Sequence, residues 1–320
     1  MHKSTKLIAL LAGVVIAAAA CSSSGASASP SGAASAAPSV AASASAAASP
    51  SPAAAASVDP KSLLGIVLSS GKIRVSTDPN YKPFSFVNPD GTYVGFDNST
   101  AEETVKRLSA KLGKEITIQW ETPGWDLITA GSWGGRWDIS VGSMSVTVGR
   151  AKVVDFADPY YYDSGAVAVL KTSTVQTLAE LNGGKTFCVG TATTYEQWLS
   201  KTLEIVDPNI VTPPTDPQVT ALPTDNECIQ AVQAGRKYDA IVANANGLAD
   251  AVKSGAPIRI LDGPPIFTVS VAFALDKSGP DNKALIALLN EIVAEMHADG
   301  SLTALSTKWL GGKDVSKKPT

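Results

Sequence analysis

From about residue 59 onward, apolar and polar residues follow two different periods along the chain. Short segments are wholly apolar or alternate with polar residues, which predicts strands, and other segments repeat apolar residues every three or four positions, which predicts helices. The two kinds of segment follow one another in turn, an order typical of α/β proteins with mostly parallel sheets. We therefore predict an α/β fold for residues 59–320.

The predicted elements cover most of this region. Strands are predicted at residues 72–76, 115–120, 138–142, 166–170, 185–189, 238–243, 258–261 and 267–275, and helices at 101–112, 126–132, 195–203, 226–234, 285–296 and 302–309. Asp97 or Ser99 is the candidate N-cap of the first of these helices, and Gly113 is expected to end it. Residues 206–223 are rich in proline and poorly patterned, so we predict a loop there.

The beginning of the chain has the pattern of a secretion signal. Two lysines precede an uncharged apolar run at residues 7–20, which is too short to span a membrane. Three alanines lead to Cys21, an arrangement that resembles the bacterial lipobox, although Ala18 stands where that motif usually has leucine. We predict a signal peptide at 1–20 and a lipid-modified Cys21, with plain secretion as the alternative.

Residues 22–58 contain only Ser, Ala, Gly, Pro and Val. A segment of this composition cannot bury enough apolar surface to offset its ordering entropy. We therefore predict that residues 21–58 form a lipidated, disordered tether, and that the protein lies outside the cytoplasm, anchored to the cell membrane.

Charge and histidine content exclude several classes of function. The formal net charge is −3, and no basic stripe stands out, which argues against nucleic-acid binding. After removal of the signal, the one histidine is His297, on a helical pattern, so a histidine-based metal site or hydrolytic triad has little support. We predict neither a cofactor nor a metal.

Cys188 and Cys228 are the other two cysteines of the chain. In an oxidising compartment an even pair favours a disulfide. Two buried free thiols are the alternative.

Two segments have the residue types of a binding site. In residues 76–86, a strand ends in Asp78 and is followed by prolines and aromatic residues. Ligands of open α/β sheets bind beyond the carboxyl ends of strands, where this loop falls. In residues 142–150, a buried strand ends in hydroxyl side chains and then Arg150, whose planar guanidinium suits a carboxylate.

These segments stand in an order that resembles the bacterial type-3 solute-binding proteins, the receptors of amino-acid ABC importers. The similarity runs from about residue 71 to 310 and includes residues 76–86, 93–97, 137–139, 142–150, 153–160, 193–196, 235–240, 298–300 and 308–309. It implies a periplasmic-binding-protein type II fold, with two α/β lobes joined by two hinge strands. Lobe 1 would be about 70–163 and 269–310, and lobe 2 about 166–265.

The resemblance also implies which residues contact the ligand. The matching positions are Asp78, Tyr81, Trp125, Ser143, Ser145, Arg150, Thr193 and Asn244. Arg150 would bind the ligand's α-carboxylate, with hydroxyl or main-chain contacts from Ser143 and Ser145. Thr193 would add a hydrogen bond when the cleft closes.

The remaining matched positions concern the ligand's other groups. Tyr81 and Trp125 would pack against the ligand, and Asp78 would help to recognise the ligand's polar end. Asn244 departs from the family pattern, which usually has an aspartate there that pairs with the α-ammonium. Either Asp78 takes over the ammonium, or the ligand is not a standard α-amino acid. Ala192 replaces a glycine that is common in the family.

The resemblance implies a monomeric, non-enzymatic receptor that closes about a hinge and delivers an amino acid or related carboxylate to an ABC permease. The alternative is a cyclohexadienyl dehydratase, which has the same fold and similar motifs. In that case Glu196 would match a general acid. In a binding protein the same glutamate would serve as a first-turn acid of its helix.

Overall fold

The computed structural model describes residues 58–318 except 207 and 208. Its helices are α1 (Leu63–Ser70), α2 (Phe96–Leu112), α3 (Trp125–Thr129), α4 (Thr194–Leu199), α5 (Asp225–Gln233), α6 (Ala245–Lys253), α7 (Lys283–Ala298) and α8 (Ser301–Trp309). Its strands are β1 (Lys72–Ser76), β2 (Asn80–Tyr81), β3 (Ser85–Val87), β4 (Tyr93–Val94), β5 (Thr117–Glu121), β6 (Ile139–Ser140), β7 (Val154–Leu170), β8 (Thr186–Gly190), β9 (Gln218–Leu222), β10 (Ala240–Asn244), β11 (Ile258–Ile260) and β12 (Thr268–Asp276).

The main sheet has the strand order β5-β1-β6-β12-β7-β10-β8-β9, with β11 paired to β7. The pairs β1–β5, β1–β6, β8–β9 and β8–β10 are parallel, whereas β7 pairs antiparallel with β10, β11 and β12. The predicted α/β fold is confirmed, and its sheet is mixed because the two longest strands, β7 and β12, run against their neighbours.

The strands β7 and β12 connect two separate apolar clusters. One cluster packs β1 against α2, α7 and α8 and includes Ile73, Leu108 and Ile292. Another packs β8 and β10 against α4 and includes Phe187 and Trp198. We call the elements packed around the first of these clusters the first half, and those packed around the second cluster the second half. The lobe boundaries given above remain a prediction.

Several local predictions were wrong. Residues 218–222 of the predicted loop form β9, which pairs in parallel with β8. The N-cap of helix α2 is Gly95, and not Asp97 or Ser99; Gly95 has φ 116°, and a Cβ at that position would clash with the carbonyl of Phe84. Only glycine fits such a backbone and approach. The predicted end at Gly113 is confirmed, with φ 60°.

Cys188 and Cys228 form a disulfide, with Cα atoms 5.7 Å apart. The bond joins β8 to α5, and both residues are fully buried in an apolar cluster of the second half. It therefore fixes one side of α5 against the sheet.

The predicted signal peptide, Cys21 and the tether up to residue 57 lie outside the described residues. Within residues 58–206 and 209–318, no helix has the length and apolarity needed to cross a bilayer. The same residues contain no group of three or more His, Cys, Asp or Glu side chains placed to hold a metal ion.

Candidate functional site

A cavity with about 480 Å³ of empty space, counting its open mouth, lies between the two halves. The first half and β7 contribute Asp78, Tyr81, Trp125, Gly142, Ser143, Ser145, Arg150 and Asp163, and the second half contributes Thr193, Thr194, Tyr195, Pro223, Thr224 and Asp225. Seven of the eight matched positions line this cavity, and Asn244 does not. Their contact with a ligand remains a prediction.

Arg150 is the cation of this cavity. It begins a short 3-10 helix directly after the segment 142–149, and its main-chain N–H donates to Thr147 Oγ1 at 3.1 Å. Its side chain donates through Nη1 to the carbonyl of Ser145 and through Nη2 to the carbonyl of Ala192, both at 3.0 Å. Burial lowers the pKa of Arg150 to about 10, and Nε has no hydrogen-bond partner among the described residues.

The carbonyl of Ala192, in the second half, accepts hydrogen bonds from two residues of the first half. Besides Arg150, Trp125 donates to it through Nε1 at 3.3 Å, and the Arg150 guanidinium lies 5.1 Å from the Trp125 ring centre. Ala192 has φ 58°, the left-handed region that favours glycine. This geometry gives a physical reason for the glycine common at this position.

Ser143 is held by a buried carboxylate. Its hydroxyl donates to Asp97 Oδ2 at 2.7 Å, and Tyr160 donates to the other oxygen at 2.8 Å. Burial raises the pKa of Asp97 to about 6, against the lowering effect of these two hydrogen bonds. The hydroxyl hydrogen of Ser143 is therefore already engaged by Asp97.

Thr193 lines the cavity as the N-cap of α4. Its hydroxyl accepts from the N–H of Glu196 at 3.2 Å and donates to the carbonyl of Gly190 at 2.7 Å. Glu196 does not line the cavity, and its carboxylate accepts from the N–H of Ala192 at 2.6 Å. The glutamate of the dehydratase alternative thus supports the loop before α4.

Asn244 is not among the lining residues and is the N-cap of α6. Its Oδ1 accepts from the N–H groups of Asn246 and Gly247 at 2.7 and 3.1 Å, and its Nδ2 donates to Asp163. Asp163, on β7, does line the cavity, and its other oxygen accepts from Tyr195 at 2.6 Å. The acid at this end of the cavity is therefore Asp163, with Asn244 supporting it.

The cavity contains more carboxylates than the sequence segments indicated. Burial raises the pKa of Asp163 to about 6 and that of Asp225 to about 7. Burial also raises the pKa of Asp78, whose carboxylate accepts from the N–H of Asn80 at 2.7 Å. The three acids lie on β7, α5 and the loop after β1, far apart in sequence.

Sequence reasoning missed Asp163, which lies before the predicted strand 166–170, and Asp225, which lies directly before the predicted helix 226–234. Asp163 stands within the long strand β7, and Asp225 is the first residue of α5, where an acid is also a common helix-start residue. One signal was available for Asp163, namely a charged residue in a run of buried strand residues. No comparable signal distinguished Asp225.

Comparison with known families agrees with this geometry. Residues 73–312 match the model of the bacterial extracellular solute-binding proteins, family 3. The chain belongs to this family. The resemblance drawn from the sequence segments is therefore confirmed at the level of the family.

Among curated relatives, the L-cystine-binding protein TcyJ of Escherichia coli (strain K12) is 31% identical over 260 residues, covering 80% of this chain and 89% of that protein. The histidine-binding periplasmic protein of Salmonella typhimurium (strain LT2) is 31% identical over 252 residues, covering 74% and 87%. Both relatives are named for amino-acid binding, so this chain resembles binding proteins along nearly their whole length.

Among solved structures, the ancestral amino acid-binding protein AncCDT-1, a precursor of cyclohexadienyl dehydratase, is 27% identical with a TM-score of 0.65, covering 78% of this chain and 100% of that one. An ancestral arginine-binding protein bound to arginine is 26% identical with a TM-score of 0.61, covering 75% and 99%. These likenesses place the chain in the type II class of periplasmic binding folds.

Proposed function

We propose that this protein is an extracytoplasmic receptor that binds an amino acid and delivers it to an ABC permease. The family supports the receptor role, and the relatives named for cystine, histidine and arginine binding support the ligand class. The residues of the cavity supply the remaining argument.

Arg150 is the observation that carries the proposal. Its side chain is buried, with 4% of its surface exposed, and its two hydrogen bonds go to neutral carbonyl oxygens. A buried cation without a counter-charge is costly, and a carboxylate would supply that charge together with charge-assisted hydrogen bonds. An α-carboxylate in the cavity would meet this requirement, with Nε as one donor.

Binding would be coupled to closure about β7 and β12. The hydrogen bonds from Arg150 and Trp125 to Ala192 cross from the first half to the second, as does that from Asn226 Nδ2 to the carbonyl of Asn80 at 2.8 Å. A ligand touching both halves would favour the closed form, because it gains contacts there that the open form lacks. The two lobes of the resemblance would be the moving bodies.

The N-terminal region would keep the receptor beside its permease. A lipid-modified Cys21 would anchor it, and residues 22–58 would link that anchor to the binding domain. We propose that the receptor acts as a monomer, without cofactor or metal.

Isothermal titration of the purified protein tests the ligand class. The protein is first unfolded and refolded to remove carried solute, then titrated with the standard amino acids and with prephenate. We expect one or a few amino acids to bind with a Kd of about a micromolar or below. Binding of none of them would contradict the proposal, and conversion of prephenate to phenylpyruvate would establish the dehydratase instead.

The anchor has its own test. Cells expressing the wild-type protein and the Cys21→Ser variant are fractionated, and intact mass is measured. We expect wild-type protein in the membrane fraction with the mass of a lipid-modified chain that begins at Cys21. We expect the variant to leave that fraction. Wild-type protein released to the medium without added lipid mass would show plain secretion.

A further inference from the structure

The described residues that line the cavity include more carboxylates than cations. Among the described lining residues, Asp78, Asp163 and Asp225 are carboxylates, and Arg150 is the single cation. The hydrogen bonds of Arg150 go to main-chain carbonyls and to none of these acids. A simple zwitterionic amino acid adds one charge of each sign, so it would leave two carboxylates without a cation.

Asp163 is oriented but not neutralised. Its two oxygens accept from the Asn244 amide and the Tyr195 hydroxyl, the main-chain N–H of Ser164 also donates to this carboxylate, and all three donors are uncharged. A carboxylate has about four lone-pair sites, so acceptor capacity remains. The side chain is 3% exposed, so water contributes little. A cation in the cavity would be its natural partner.

Asp225, which the second half contributes, is likewise oriented but not neutralised. One oxygen accepts from the N–H of Gly190 at 2.7 Å, and a hydrogen bond from the Tyr81 hydroxyl favours its charged form. Both donors are neutral, and the side chain is 3% exposed. The negative charges of Asp163 and Asp78 each raise the pKa of Asp225, so the three acids act on one another.

Resting on the proposed function, we infer that the ligand is an amino acid of net positive charge, with one carboxylate at Arg150 and two cationic groups received by Asp163 and Asp225. The unpartnered Nε of Arg150 in the same buried cavity indicates the anionic end. A second carboxylate would have no cationic partner among the described lining residues. The ligand class is thus diamino or guanidino monocarboxylates.

Matched ligand pairs test this inference on the wild-type protein. L-Arginine is compared with L-citrulline, and L-lysine with L-norleucine, since each neutral compound has nearly the shape of its charged counterpart. We expect at least one cationic member to bind about tenfold or more tighter than its neutral partner. L-Cystine, with two ammonium groups and two carboxylates, should bind more weakly than that member.

The variants Asp163→Asn and Asp225→Asn keep side-chain size and remove one charge each. Each should weaken binding of the cationic ligand by roughly 10- to 150-fold and change binding of the neutral partner much less. Asp250→Asn, on α6 away from the cavity, is the matched control and should leave affinity unchanged. Thermal melting of each variant checks that it is folded.

Two results would overturn the inference in distinguishable ways. If a neutral amino acid or L-cystine binds at least as tightly as arginine and lysine, and Arg150→Ala abolishes that binding, the receptor stands and the cationic ligand is wrong. If no amino acid of the panel binds, the proposed function fails and this inference fails with it.

Discussion

The first half and the second half each contribute one side of the cavity, and these two sides are built differently. The first side takes its cation and two serines from one segment, 142–150, in which Ser143 and Ser145 precede Arg150, and takes Asp78 from the loop after β1. The second side takes its groups from the beginnings of two helices, where Thr193 caps α4 and Asp225 opens α5. The first side therefore carries the cation together with Asp78, the second carries two helix starts with Asp225, and β7 contributes Asp163.

This difference assigns separate tasks to the two sides. A carboxylate finds its charged partner on the first side, whereas a cationic group finds its partners at Asp225 and at Asp163 on β7. Among the described lining residues, the second side has no cation for the carboxylate, and the first side lacks Asp225. A ligand that uses both Arg150 and Asp225 would therefore have to touch both sides, which is the condition for ligand-driven closure.

The largest effect is expected from the first side. Arg150→Ala should weaken amino-acid binding by about 2–5 kcal/mol, because it removes a buried, charge-assisted partner of the carboxylate. Calorimetry measures the loss. Arg136→Ala, an exposed arginine lying over Trp137, is the control and should bind like wild type. Unchanged affinity in Arg150→Ala would show that the carboxylate lies elsewhere.

The second side depends on its disulfide. Cys188→Ser with Cys228→Ser should lower the free energy of unfolding by about 2–4 kcal/mol, since the bond closes a loop of 40 residues in sequence. Denaturant unfolding measures the change. Reduction of wild type should reproduce it and should leave the double variant unaffected. Equal stability in all of these samples would show that the cysteines are not bonded in solution.

Asp163 and Asp225 should make stability and ligand affinity change in opposite directions with pH. Burial raises the pKa of Asp163 to about 6 and that of Asp225 to about 7. An unfolded aspartate titrates near 3.9, so the folded protein binds more protons between about pH 4 and 7 and its stability falls as pH rises through that window. Ligand-free protein should melt at a higher temperature at about pH 5 than at about pH 7.5.

Affinity for a cationic amino acid should change the other way, because protonated carboxylates no longer attract a cation. Calorimetry across the same pH range should show weaker binding at the acidic end. Asp225→Asn should flatten both profiles. Parallel changes in stability and affinity would contradict the assignment of these acids to the ligand.

The smallest expected effect is a change of stability at Ala192, whose carbonyl accepts hydrogen bonds from the first side. Ala192→Gly should raise the free energy of unfolding by about 1 kcal/mol, because glycine adopts the left-handed backbone at φ 58° without the penalty of a Cβ. Ala221→Gly, in the exposed strand β9, is the control and should lower stability. A loss of stability at both positions would mean that residue 192 is not left-handed in solution.

The sequence predicted the first side better than the second. Residues 142–150 are contiguous, so the hydroxyls and Arg150 could be recognised together from the order of residues alone. The alternation of strand and helix patterns likewise predicted the α/β fold, because local periodicity records which face of each element is buried.

Long-range pairing and side-chain direction could not be read in the same way. β9 is mostly exposed and flanked by prolines, so its pattern lacks a buried face. The resemblance implied a ligand contact for Asn244, the last residue of β10, yet its side chain caps α6 and donates to Asp163. That arrangement depends on β7 passing beside β10, which no local pattern encodes.

One titration tests the central claim, that Arg150 holds the carboxylate of an amino acid, most directly. Wild type and Arg150→Ala are each titrated with the amino acid that binds wild type most tightly and with its carboxamide. We expect the carboxamide to lose most of its affinity for wild type, and the variant to bind acid and amide alike. Equal binding of acid and amide by wild type, or the same loss in both proteins, would contradict the claim.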